Sequence, residues 1–261
     1  MELKLIWIVQ VLVAFHVYPS LGFQHVLPRG INQKPTRVIG NVTVIDTPLV
    51  RAAQAYARQY SDDFLFNHVV RTWLFGVLVI SHNTTLQQTV DLEVHAIGAL
   101  LHDLGLVLDR NASWISPDLR FEVDSAFAAT DFVEDRLTRD NASSAWDANR
   151  LQLLWDSVLL SSEPKFSLYK QATVAAVVQG VLIDLTGPDN NVTSAEYQNV
   201  IAAYPKLNFL PGVNQTLVTL CTRKSTSTYD SWQQAFGDAF VPNYSAVGYR
   251  IFDFITNGTG V

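Results

Sequence analysis

The stretch Leu92-Glu93-Val94-His95-Ala96-Ile97-Gly98-Ala99-Leu100-Leu101-His102-Asp103-Leu104-Gly105-Leu106 decides how this chain is read. Its pattern predicts an apolar helix that starts near Asp91 and ends near Gly105, a residue suited to the position just past a helix. His102 and Asp103 stand side by side at the end of that helix. Two such groups in apolar surroundings are costly unless something pairs with them. Imidazole nitrogen and carboxylate oxygen together suit one divalent metal, zinc first, with iron or manganese as alternatives.

The flanking sequence is helical in the same way. Asp46-Thr47-Pro48 is a helix start, with Thr47 as cap and Pro48 at the first position, for a helix running to about Tyr60. A second helix, opened by Ser61-Asp62-Asp63 and reaching about Ser81, carries Trp73, Leu74 and Phe75 as core residues. Further helices are expected over Phe121–Leu137, Ser143–Leu160 and Ser167–Leu185, and shorter ones over Ser194–Tyr204, Gly212–Lys224 and Thr228–Phe240. No convincing strand pair and no internal repeat is found. The reading is all-α: a single-domain helical bundle over 46–261, preceded by an extended arm over 23–45.

Composition sets the setting. The chain has 261 residues, 48% hydrophobic and 16% charged, enough for one large core. A net charge of -6 without a basic patch argues against a nucleic-acid partner. The apolar run Leu5–Val17, followed by Ser20 and Gly22 at the -3 and -1 positions, reads as a secretory signal peptide over 1–22 cleaved after Gly22. A retained signal anchor is the alternative, but the run is short for a membrane span, so no stable membrane anchor is expected. Eight Asn-x-Ser/Thr sequons, at Asn41, Asn83, Asn111, Asn141, Asn191, Asn214, Asn243 and Asn257, suggest a glycosylated, secreted protein. Cys221 is the only cysteine, so no intrachain disulfide can form.

His68 sits inside the second apolar helix and Asp184 near the end of the helix over Ser167–Leu185. Packing these helices against the His102-Asp103 helix would gather two imidazoles and two carboxylates, as helical bundles do when they build metal sites. Each residue alone reads as readily as a hydrogen-bonded core side chain, and His95, two turns before His102, is read that way.

The order His…His-Asp…Asp on successive helices resembles the HD-domain superfamily of metal-dependent hydrolases. The surrounding residues are similar to its cyanamide hydratase-like branch: His68-Val69-Val70-Arg71-Thr72-Trp73, Leu100-Leu101-His102-Asp103-Leu104-Gly105, Arg120-Phe121-Glu122-Val123-Asp124-Ser125-Ala126, Leu154-Trp155-Asp156-Ser157-Val158 and Gln179-Gly180-Val181-Leu182-Ile183-Asp184-Leu185. The resemblance spans about His68 to Gly187. It implies a bundle around one divalent metal held by His68, His102, Asp103 and Asp184, and, from cyanamide hydratase itself, addition of water to a nitrile on zinc. Asp103 or Asp184 would take a proton from that water. Arg71, one turn after His68, faces the same cleft, where it either orients a carboxylate or phosphate or pairs with an acid such as Glu122. Glu122 and Asp124 are further pocket candidates. Members of this branch commonly carry a His where this chain has Ser161, and a hydroxyl is a much poorer metal ligand.

The sequence thus points to a secreted metal-dependent hydrolase or hydratase acting on a small molecule by nitrile hydration or C–N hydrolysis. Its alternatives are an HD phosphohydrolase and a non-catalytic secreted binding protein of the same fold. Beyond Arg71 no Lys/Arg cluster flanks the motif, which weighs against a nucleotide polyphosphate.

Overall fold

The first element corrects the sequence reading. The computed structural model describes residues 34–108, 112–140 and 146–257, so the expected leader and the start of the arm lie outside the described residues. The rest of the arm is not a plain extended segment but an antiparallel hairpin. Its strands are β1 (Thr36–Ile39) and β2 (Val42–Ile45), in the register Thr36↔Ile45 to Ile39↔Val42. Gly40 and Asn41 turn the chain with φ of +55° and +63°. A two-residue turn with both φ values positive matches the right-handed twist of the strands it joins. β2 buries Val42, Val44 and Ile45 against the helices, while Val38 of β1 stays exposed.

The remaining regular structure is helical. α1 (Pro48–Tyr60) starts as expected: the Thr47 side chain accepts from the Val50 amide and Pro48 takes the first position. α2 (Asp63–Ser81) is buried without a break from His68 to Gly76. It is long and apolar enough to cross a membrane, yet most of that window is covered by the rest of the fold. A short helix absent from the sequence reading, α3 (Thr84–Thr89), is capped by the Asn83 side chain. α4 (Leu92–Leu101) is capped by Asp91 and buries every residue from Glu93 to Leu101.

Around these pack α5 (Phe121–Arg139), α6 (Ala148–Leu159), the single turn α7 (Pro164–Ser167) and α8 (Ala172–Thr186). The C-terminal part adds α9 (Ser194–Ala203), α10 (Phe209–Arg223), α11 (Ser225–Thr228), α12 (Gln234–Phe240) and α13 (Ile251–Asn257). The sequence reading had no counterpart for α13. All the described residues belong to one compact unit, and the architecture is all-α apart from the hairpin.

The packing of α2 on α8 places the site. Two glycines let the helices approach at backbone distance. A Cβ on Gly180 would lie 2.2 Å from the Thr72 carbonyl oxygen, and one on Gly76 would lie 3.0 Å from the Ala176 carbonyl oxygen. From the Gly180–Thr72 crossing, one turn forward along α8 reaches Asp184 and one turn back along α2 reaches His68. The helices are therefore antiparallel at this point, and their crossing sets those two side chains face to face.

Candidate metal centre

His102 and Asp103 do not lie inside a helix. α4 ends at Leu101, earlier than the sequence suggests, and a 3₁₀ turn follows over Leu104–Leu106. The physical reason is the start of α5. A Cβ on Gly105 would lie 2.0 Å from the Phe121 carbonyl oxygen, and the Gly105 amide donates to Ser125 Oγ at 2.7 Å. The chain turns against α5, and this turn presents His102 and Asp103 toward His68.

The His68, His102 and Asp103 side chains are all buried, and one ligand atom from each lies within 4.8 Å of the other two. His68 Nε2 and His102 Nε2 are 3.5 Å and 3.4 Å from the same oxygen, Asp103 Oδ2. These separations are long for hydrogen bonds. They are close to the edge of a tetrahedron of donors about 2.1 Å from a common ion, about 3.4 Å.

The other ring nitrogens fix the tautomers. His102 Nδ1 donates to the Ala99 carbonyl at 2.8 Å, and His68 Nδ1 donates to Asp184 Oδ2 at 2.6 Å. Both Nε2 lone pairs are thereby directed at the site. Burial depresses the pKa of His102, opposed in part by Asp103, which favours the neutral imidazole that a metal requires. On the chemistry and spacing of its donors, the group fits a divalent cation.

Asp184 is brought to this cluster, in a different relation from the one the sequence reading gave it. It is not among the residues whose ligand atoms converge. Its Oδ1 accepts from Arg71 Nε at 2.6 Å, and its Oδ2 accepts from Arg71 Nη2 at 2.8 Å as well as from His68. Burial alone would raise this carboxyl, but the His68 and Arg71 hydrogen bonds outweigh it and hold the pKa at about 2. Asp184 is thus an ionised anchor that orients His68.

Arg71, 0% exposed, is fully used in holding Asp184 and in donating through Nη1 to the Tyr204 and Pro205 carbonyls, at 3.2 Å and 3.1 Å. Its acidic partner is Asp184 rather than Glu122. Glu122 is buried as a hub of its own. Its Oε1 accepts from Arg120 Nη2 at 2.7 Å, Ser162 Oγ at 2.6 Å and Gln233 Nε2 at 2.8 Å. Asp124, two residues on, is paired with buried Lys224.

His68, His102 and Asp103 form the floor of a cavity of about 230 Å³. Ser161 and Ser162 line one side, and Phe209, Val213, Leu217 and Trp232 from the C-terminal part close another. Sequence reasoning had no handle on these C-terminal wall residues, because they show no motif and lie more than a hundred residues from His102. Arg71 and Glu122 do not line the cavity, whereas Ser161 does. Of the sequons, Asn111 and Asn141 lie outside the described residues; Asn41, Asn83, Asn191, Asn243 and Asn257 are exposed, and Asn214 is half-buried. No family model matches the chain, and no curated protein matches it.

Proposed function

We propose that this protein is a secreted, glycosylated, metal-dependent hydrolase or hydratase of the HD type, acting on a small molecule. The observation that carries the reading is a buried set of three donors, His68, His102 and Asp103, opening on a cavity. Structural zinc sites are closed by four protein ligands, whereas catalytic sites use three and leave a position free. When bound, a divalent ion supplies Lewis acidity, which acidifies water and polarises an electrophile.

The chain's own residues divide the remaining work. His68 and His102 are held in one tautomer by Asp184 and the Ala99 carbonyl. Asp103 is the carboxylate placed to take a proton from water at the cavity floor. Asp184, with both oxygens accepting from Arg71, is poorly placed for that task and serves as an orienting residue. Nitrile hydration or C–N hydrolysis is favoured over phosphoester hydrolysis because no Lys or Arg is among the described residues lining the cavity.

The test is a hydration and hydrolysis screen of small nitriles and amides, starting with cyanamide, on zinc-loaded protein. Turnover by wild type that is abolished by a chelator, restored by zinc and lost in Asp103→Asn supports the reading. Turnover that survives both chelation and Asp103→Asn contradicts it.

A further inference from the structure

The cavity above the three donors has a composition that the donors do not require. Its walls are apolar on nearly every side, with Phe121, Val181, Leu182, Val213, Leu217 and Trp232 the main surfaces. At about 230 Å³ it falls below the roughly 300–1,000 Å³ of pockets that take drug-sized ligands, so its occupant is small. The nearest cation on α2, Arg71, is buried and committed to Asp184. An anionic group in the upper cavity would therefore be desolvated against hydrocarbon with no side-chain cation to compensate it.

One polar atom in the wall is unspent. Ser161 is 1% exposed, lines the cavity, and its Oγ has no hydrogen-bond partner. The neighbouring hydroxyl differs: Ser162 Oγ donates to Glu122 at 2.6 Å and accepts from Trp232 Nε1 at 3.2 Å. A buried hydroxyl left unpaired is destabilising, and a ligand's polar atom would supply the missing partner. The Glu122 hub has a different use. By tying Ser162, Trp232 and Gln233 together it fixes the indole that forms the apolar wall.

From these observations we infer that the site takes a neutral small molecule with a compact apolar substituent, of the aryl or branched-alkyl amide or nitrile class. Its polar head lies between the metal ligands and Ser161 Oγ, and its apolar group fills the space bounded by Phe121, Val213 and Trp232. Ser161 is then the specificity-determining residue that orients the head. The inference rests on the reading of this cavity as the substrate site.

The test is equilibrium binding to the full chain, stripped of metal, with benzamide as the neutral probe and phenyl phosphate as the charged probe of similar shape. Benzamide is expected to bind one per chain, and at least about tenfold more tightly than phenyl phosphate. Ser161→Ala should weaken benzamide by about three- to tenfold, the range of one hydrogen bond. Val213→Trp, which fills the cavity, should weaken it by more than about tenfold. Should that variant fail to fold, Leu185→Trp replaces it; Leu185 also lines the cavity and is 46% exposed, so it tolerates a larger side chain. No benzamide binding, phenyl phosphate binding as tightly, or affinity unchanged by the filling variant would each overturn the inference. Because metal-free protein is used, absence of metal binding would defeat the proposed reaction while leaving these affinities to stand or fall separately.

Discussion

Replacing Gly180 by alanine tests the crossing on which the site depends. The added methyl would lie 2.2 Å from the Thr72 carbonyl oxygen, where ordinary contact begins at 3.4 Å. That oxygen is backbone and cannot swing aside, so α2 and α8 must part by about 1 Å. Overpacking of this kind costs about 1–3 kcal/mol, and the better helix propensity of alanine returns about 1 kcal/mol. The expected net loss is about 0–2 kcal/mol of unfolding free energy, read from urea titrations with an unchanged m-value. The same movement separates His68 Nδ1 from Asp184 Oδ2, now 2.6 Å apart one turn away. Loss of such an orienting partner lowers metal affinity by about 10–100-fold, measurable by chelator competition. Gly98→Ala is the milder comparison, because the nearest atom its methyl would meet is the side-chain Cβ of Ser157, at 3.1 Å. A Gly180→Ala protein as stable as wild type with undiminished zinc affinity would refute the close α2–α8 approach.

Three further outcomes are expected. His95 is fully buried and burial depresses its pKa to about 4, so the unfolded chain binds the extra proton between about pH 6.5 and 4. Stability is therefore present above pH 6.5 and lost as pH falls, by about 2 kcal/mol between pH 7 and 5, and His95→Leu should flatten that slope in denaturant titrations. Lys224 and Asp124 form an ion pair at 2.6 Å with side chains 4% and 1% exposed. Lys224→Met, which leaves the carboxylate buried and unpaired, should lose about 3–5 kcal/mol, whereas Arg139→Ala, from an exposed i,i+4 pair, should lose at most about 1 kcal/mol in the same assay. Peptide mapping of the protein produced through a eukaryotic secretory pathway should find carbohydrate on the exposed Asn41, Asn83, Asn191, Asn243 and Asn257 in preference to half-buried Asn214 on α10, and heavy occupancy of Asn214 alone would contradict that order.

Local signals carried much of the fold. Thr47-Pro48 marked the start of α1 and Asp91 that of α4, where both side chains cap, because capping is decided within one turn of chain; Asp62 stands at the N-terminal boundary of α2 without a side-chain cap bond. The hairpin was also written locally. Gly40-Asn41 between two β-branched runs is a turn signal that the sequence reading passed over in favour of an arm. The early end of α4 was not readable, since it follows from the contact of Gly105 with Phe121, residues in different elements.

The site divides along the same line. His68, His102 and Asp103 stood out as polar residues in apolar helical sequence, and the structure brings them together. The partner of Arg71 was less accessible: Asp184 lies 113 residues away, and nothing near Arg71 distinguishes it from Glu122 as the acid. The roles of Glu122 and Ser161 likewise depend on what faces them. Glu122 is saturated by Arg120, Ser162 and Gln233, whereas Ser161 is left with an unpaired hydroxyl in the cavity wall.

The central claim is that His68, His102 and Asp103 hold a catalytic divalent ion, and metal content tests it most directly. Elemental analysis of purified wild type, His68→Ala and His102→Ala after zinc reconstitution and dialysis should find about one ion per wild-type chain and close to none in either variant. Wild-type protein that retains no metal, or variants that retain as much as wild type, would contradict the account.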